Sequence, residues 1–272
     1  MTATDTAAYW NTQVSDIEEA DVYVRGYSLG DMIGRLPFSA ATYLMIRGRI
    51  PTRGEARMID AMLCSILDYA LQKPGTVAAR YTVSGNPNMQ AGMAVAVMSV
   101  GEYTLAPDDS GRFIINSYAK FKDSGEDIDA FADKFVADFT ASGNRVPGFG
   151  HPVFRHLDPR AQRLKQIAQE EDCWGEMGDW YEAVHRAFTK LKNKPEIPIN
   201  EVGMMAAIQA QMGFTPDEMT GIALISSLPG VIAHISEEIQ TKTRIRIMPD
   251  DLVHYPRERH DLDADLRSAG WE

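Results

Sequence analysis

The chain predicts an all-α fold, and three observations carry that expectation. Apolar residues recur at helical spacing over most of its length, capping signals open the resulting segments, and the period-two alternation of strands is nearly absent. With 272 residues, 44% of them hydrophobic, the chain can bury a full core in one domain or two closely packed ones.

In chain order, Ser39 is expected to cap a helix that ends near Arg47-Gly48. Thr52 and Glu55 form a capping box ahead of Ala56, Ile59, Met62, Leu63, Ile66, Leu67 and Ala70, a 3.6-residue stripe. Asn88 to Val100 is small and apolar on most sides, which predicts a buried helix. Ile128, Phe131, Phe135 and Phe139 mark an amphipathic helix closed by Gly143. Asp158 is a good N-cap and Pro159 suits the first helical position. A helix from Arg160 to about Glu170 should then bury Ala161, Leu164, Ile167 and Ala168. Trp180, Val184, Phe188 and Leu191 mark another helix. Thr215-Pro216-Asp217-Glu218 is a second capping box, opening a helix that Pro229-Gly230 is expected to interrupt before Ile232 to Ile239 continues.

Composition narrows the partners. A net charge of −11 argues against nucleic acid, because phosphate binding wants a basic face. It leaves an anionic small substrate open, since local arginines can focus the field. No window approaches 18 uninterrupted apolar residues, so no membrane span is predicted. Met1-Thr2-Ala3-Thr4-Asp5 has neither a basic start nor an apolar run, so no secretory signal is predicted. Cys64 and Cys173 are expected to be free thiols in a reducing cytoplasm. The 14 methionines read as adaptable core filler. The histidines show neither HExxH nor Cys/His spacing, so no metal is expected. A Gly-x-Ser-x-Gly elbow, a P-loop and a dinucleotide fingerprint are all missing from the sequence.

Chemistry concentrates in Val146-Pro147-Gly148-Phe149-Gly150-His151-Pro152-Val153-Phe154-Arg155-His156-Leu157-Asp158-Pro159-Arg160. A glycine-rich turn delivers one histidine, and two arginines follow, the second just inside a new helix. Gly148 and Gly150 are read as letting the backbone approach a ligand closely. A histidine, a guanidinium and a helix N-terminus together suit an anion with carboxylates or phosphates. A cation in the first helical turn opposes the helix dipole, a cost that a bound anion would offset.

This stretch resembles the histidine-arginine signature of the citrate synthase superfamily, a Pro-Gly-aromatic-Gly-His turn followed nine residues later by the arginine of Asp-Pro-Arg. The short length, Tyr23-Val24-Arg25-Gly26-Tyr27, Phe38-Ser39 and Tyr43-Leu44 are similar to the citryl-CoA lyase branch, including the lyase module of ATP-citrate lyase. Pro198-Ile199-Asn200, Met212-Gly213-Phe214 and Gly230-Val231-Ile232-Ala233-His234-Ile235-Ser236-Glu237 also fit, so the resemblance covers nearly the whole chain. It implies a two-domain helical fold, with residues 1–105 and 214–272 as a large domain and 106–213 as an inserted small one. It also implies a homodimer with the site near the interface. The polar tail from Arg257 to Glu272 would wrap the partner subunit.

The resemblance further implies chemistry beside a coenzyme A thioester, with CoA as part of the substrate. A carboxylate base, a donor to the thioester oxygen and a group for the acceptor carbonyl are required. His151 matches the family histidine that addresses the acceptor carbonyl. Arg160 matches the arginine that grips a substrate carboxylate. Arg155 matches a contact to CoA phosphates, with a plain surface charge as the alternative. Arg246 matches a second carboxylate-binding arginine and Arg259 a third that reaches across the dimer; both also read as solvated charges. His234 reads as mainly structural.

Three positions depart from the family. Tyr69 replaces the substrate histidine of the Asp-His pair, here Asp68-Tyr69. Thr104 replaces the histidine that donates to the thioester oxygen, in Thr104-Leu105-Ala106 where the family has His-Gly-Gly. Val202 stands at the catalytic aspartate, with Glu201 one position early. Valine cannot take a proton. A one-residue offset turns a helical side chain by about 100°, so Glu201 would serve as base only if the backbone shifts. The alternative is an acidic residue stabilised by a helix N-terminus. Tyr69, Tyr103 and Thr104 keep hydroxyl donors, but none relays a proton as an imidazole does near neutral pH.

Two functional expectations follow. One is a citryl-CoA-lyase-like enzyme that makes or breaks a carbon–carbon bond in a CoA thioester of a carboxylated or hydroxylated acid. Retro-aldol, retro-Claisen and hydrolytic variants stay open. The other is a catalytically silent CoA- and carboxylate-binding homologue, or a subunit of a complex.

Overall fold

The computed structural model describes residues 10–101 and 103–271. The opening segment read above for a secretory signal lies outside the described residues, as does Glu102. Helices dominate, as expected. A hairpin of β1 (Ser15–Ile17), β2 (Val22–Val24) and β3 (Tyr27–Ser28) comes first, paired antiparallel in chain order. Its second turn is Arg25-Gly26, with φ of 51° and 83°, the left-handed backbone that tight two-residue hairpins require. Arg25 donates from Nε and Nη2 to the Met45 carbonyl (2.9 and 2.7 Å), tying the hairpin to the helix that follows.

The helices are α1 (Leu29–Met32), α2 (Phe38–Arg47), α3 (Arg53–Ser65), α4 (Pro74–Gly85), α5 (Met89–Met98) and α6 (Pro107–Ser124). They continue with α7 (Ile128–Ala141), α8 (Pro159–Glu170), α9 (Glu176–Lys192), α10 (Glu201–Gln211), α11 (Pro216–Gln240) and α12 (Leu262–Ser268). Both capping boxes form: Thr52 with Glu55 opens α3, and Thr215 with Glu218 opens α11. Asp158 caps α8, whose buried face is Ala161, Leu164, Ile167 and Ala168, as the periodicity predicts.

One buried cluster joins α2, α3 and α6 to α11, through residues such as Tyr43, Met58, Ile114, Trp180, Met205 and Ile222. Trp180 is fully buried, stacks on Phe121 at 5.1 Å and satisfies its indole N–H on Ser117 Oγ at 2.8 Å. A smaller cluster of Ala79, Val83, Ala96, Val231 and Ile235 joins α4 and α5 to the second half of α11. By length and composition α11 could cross a membrane. It instead packs against α3, α4, α5 and α6, and its buried Glu238 is clasped by two arginines.

Three local expectations need correction. Pro37, not Ser39, precedes the first turn of α2, and Ser39 is buried inside it; Gly48 ends the helix with φ of 74°, as expected. The Asn88–Val100 segment forms α5, capped by Asn88, but it is not buried all round. Only Gly92 and Ala96 are buried, while Met98 is 83% exposed, because α4 and α11 cover one side alone. Pro229-Gly230 does not interrupt α11. The helix runs through, and the Gly230 N–H turns to the Leu67 carbonyl at 3.0 Å. A Cβ on Gly230 would lie 2.2 Å from that oxygen, so the glycine lets the α3–α4 connection lie directly on the helix.

Candidate active site

That connection carries Tyr69 into the site. Asp68 accepts from His234 Nε2 of α11 at 3.1 Å and Gly230 of the same helix holds Leu67, so the loop is pinned to α11 at the two residues before Tyr69. The Tyr69 hydroxyl then lies 3.1 Å from His151 Nε2.

His151 leaves the glycine-rich turn, and its Nδ1 accepts the backbone N–H groups of Val153 and Phe154 at 3.1 and 3.0 Å. An imidazole that accepts at Nδ1 carries its proton on Nε2. The Nε2–H therefore donates to the Tyr69 oxygen. The Arg160 Nη2 at 3.1 Å is a close approach of two donors. Burial, with Arg160 beside it, lowers the His151 pKa below the usual histidine value. The ring stays a neutral donor at pH 7.

Arg160 is the hub. It donates from Nε and Nη2 to both Asp158 oxygens (3.0 and 2.8 Å) and from Nη2 to Glu201 Oε2 at 2.7 Å. Its guanidinium lies over the rings of Tyr69 (5.5 Å) and Phe154 (5.3 Å). The dipole cost of this first-turn cation is thus offset by protein carboxylates, where a bound anion was expected to do so. Asp158 also accepts the backbone N–H groups of Arg160 and Glu201, so one buried carboxylate joins the N-termini of α8 and α10. Burial works to raise the Asp158 pKa, but the hydrogen bonds from Arg160 outweigh it and hold the group below its ordinary value. Glu201 goes the other way. Burial pushes it up to about 7, Arg160 opposes and the neighbouring Asp158 charge adds. Among the described residues His151, Asp158 and Glu201 offer a compact donor set, with ligand atoms within 4.8 Å of one another. The cation they surround is the Arg160 guanidinium.

The glycine-rich turn is held by backbone. Gly150 donates to Pro198 and Asn200 to Gly148 (2.8 and 3.0 Å), and the Asn200 side chain caps α10 through Gly203 N–H while donating to the Gly150 carbonyl. A Cβ on Gly148 would lie 2.1 Å from Tyr181 Oη and 2.7 Å from Gly203 Cα. The close approach that Gly148 permits is therefore to α10 and α9, where a ligand was expected.

Tyr69, His151, Asn200 and Glu201 line a cavity of roughly 650 Å³, together with Thr104, Lys73 and Arg145, and Arg160 and Asp158 sit behind that wall. Glu201 and Val202 both face it, so no backbone shift is needed to bring the glutamate to the site. Leu105, beside Thr104 where the family has glycine, keeps a positive φ of 55°. Of the predicted residues, Tyr69, Thr104, His151, Arg160 and Glu201 come together. Arg155 is exposed and donates to the His151 carbonyl at 3.0 Å. Arg246 is drawn to Glu238, donating at 2.7 and 2.9 Å, and Arg80 reaches the same carboxylate at 2.6 Å. Arg259 lies exposed between the Asp250–Leu252 turn and α12. His234, read as structural, is the link from Arg80 to Asp68.

Two residues escaped the sequence reading. Asp158 was legible only as a cap, because nothing local places the start of α10 beside the start of α8. Lys73, just before Pro74, carries only the signal of a helix beginning.

An all-α fold with a Gly-His turn facing an Asp-x-Arg helix start defines a citrate-synthase-type site. A family model described as citrate synthase, C-terminal domain, matches residues 53–248, and the chain belongs to this family. Citryl-CoA lyase from Hydrogenobacter thermophilus is 31% identical, with a TM-score of 0.86 over 96% of this chain and 100% of that one. The citrate synthase of Haloferax volcanii is 29% identical over 84% of this chain and 56% of its own length. ATP citrate lyase from Methanothrix soehngenii, solved with citrate and coenzyme A, shares the fold at 18% identity. Its TM-score is 0.78, over 93% of this chain and 42% of that one. The chain spans about a quarter to about half of the length of the curated relatives it matches.

Proposed function

We propose that the protein is a citryl-CoA-lyase-like enzyme that makes or breaks a carbon–carbon bond beside a coenzyme A thioester, on a carboxylated or hydroxylated acyl group. One observation carries this reading: the His151 ring and the Glu201 carboxylate approach within 4.8 Å on one cavity wall. That spacing suits a donor on the carbinol or ketone oxygen and an acid–base group on the adjacent carbon.

In the cleaving direction the hydroxyl loses its proton, the bond to the thioester α-carbon breaks, and that carbon gains a proton. A ketone and an acetyl thioester result. Glu201, raised toward neutrality, takes the hydroxyl proton and returns it to the carbon. The Nε2–H of His151 holds the oxygen throughout, with Tyr69 as its resting partner. Thr104 supplies a hydroxyl to the thioester oxygen. Arg160 keeps Glu201 oriented and offers its remaining edge to a carboxylate. Arg155 meets CoA phosphate, Arg246 takes a carboxylate on leaving Glu238, and Arg259 reaches a neighbouring protomer's site.

The reading extends to a cytoplasmic homodimer with residues 106–213 as the smaller helical domain, no metal requirement, and neither nucleic acid nor a membrane as partner. Free Cys64 and Cys173 support a reducing compartment. Exposed Met98, Ile232, Ile245 and Ile247 support a covered face.

Purified protein should release acetyl-CoA from citryl-CoA, and His151→Ala should abolish it. Binding of CoA or a dicarboxylate without turnover of any such thioester would leave the silent homologue as the better reading.

A further inference from the structure

Lys73 opens α4, directly after the 3-10 turn that follows Tyr69. It is only 8% exposed, and it lines the cavity that holds Tyr69, His151 and Glu201. Among the described residues its ammonium has no ion pair within 4 Å. The negative charge that acts on it is Asp68, whose carboxylate is committed to His234. Burial accordingly pulls the lysine pKa down.

The arginines are differently placed. Arg160 is engaged by Asp158 and Glu201, and Arg246 and Arg80 by Glu238. Arg145 lines the cavity but is exposed, where water screens its charge. A buried lysine on a cavity wall, whose nearest acidic neighbour is already engaged by His234, is a costly arrangement that an entering anion relieves. Its compact charge and three rotatable donors suit a single carboxylate.

We propose that Lys73 binds a carboxylate of the acyl group inside the cavity, and so selects substrates that carry one there. The proposal rests on the CoA-thioester reading above. It assigns the carboxylate contact to a residue outside the histidine-arginine signature.

The test is titration calorimetry of the full chain with citrate and with CoA, each alone, on wild type, Lys73→Met and Lys73→Arg. Citrate affinity should fall at least tenfold in Lys73→Met and largely return in Lys73→Arg, with CoA affinity unchanged within twofold. Unchanged citrate affinity in Lys73→Met overturns the proposal. A wild type that binds CoA but not citrate also overturns it while the thioester reading stands; one that binds neither loses both. A second measurement needs no variant. Citrate should protect Lys73 of the wild type from acetic anhydride labelling several-fold, read by peptide mass, and equal labelling with and without citrate overturns the proposal.

Discussion

Glu201 Oε2 lies 2.7 Å from Arg160 Nη2, yet the glutamate is the carboxylate whose proton is held more tightly. Asp158 already takes two hydrogen bonds from the same guanidinium, so one cation serves two buried acids unequally. A carboxylate poised near neutrality beside an ionised neighbour can take a proton and give it back.

Glu201→Gln should therefore lower turnover of citryl-CoA by at least 100-fold while CoA binding stays within a few-fold of wild type. Steady-state kinetics beside calorimetry checks both halves.

The same variant has a signature in stability. A folded pKa raised from 4.5 to about 7 favours the folded protein below the unfolded value and loses that contribution as pH rises through 7. Glu201→Gln mimics the protonated form and does not lose it. The variant should melt above wild type at pH 8, by on the order of 1 kcal/mol or more, and match it near pH 4. A thermal-melt series across that range would sink the assignment if the two curves ran parallel.

Arg160→Ala leaves Asp158 and Glu201 buried without their counter-ion. Breaking a buried pair in this way costs about 3–5 kcal/mol, measured by urea unfolding. Arg160→Lys should recover only part of it, since an ammonium cannot span both Asp158 oxygens and Glu201 in the same plane.

Gly230→Ala tests how Tyr69 is positioned. The new Cβ would meet the Leu67 carbonyl at 2.2 Å and Asp68 Cβ at 2.8 Å, and must push the loop away. The expected cost is about 1–3 kcal/mol, with activity falling further than Tyr69→Phe alone, and with helical circular dichroism unchanged. Tyr69→Phe activity equal to that of Gly230→Ala would mean the loop carries nothing beyond the hydroxyl.

Much of the fold was readable because its signals are local. The cap at Asp158, the two capping boxes and the apolar face of α8 each depend on residues a few positions apart. Apart from the local shift of the α2 cap from Ser39 to Pro37, the misreadings share one cause. Pro229-Gly230 breaks a helix in isolation, but here a distant loop takes the Gly230 N–H. The α5 segment is apolar enough to be buried, but the chain offers it only one neighbouring face. The site divides in the same way. His151 and Arg160 could be found from one motif, whereas the pairing of Arg160 with Glu201, the clasp of Arg246 by Glu238 and the seclusion of Lys73 depend on contacts across many helices.

The contact of Gly148 with Gly203 bears on how this site can change. Two backbones touch there with no side chain between them, and hydrogen bonds on either side fix the join. Sliding or rolling helix α10 against the histidine turn would break that join, as shifting a dowel breaks its seat. A carboxylate displaced by one position along α10 is therefore not recovered by shifting the helix. New chemistry on this frame has to come from exchanging side chains at fixed anchor points, and Glu201 beside Val202 is such an exchange.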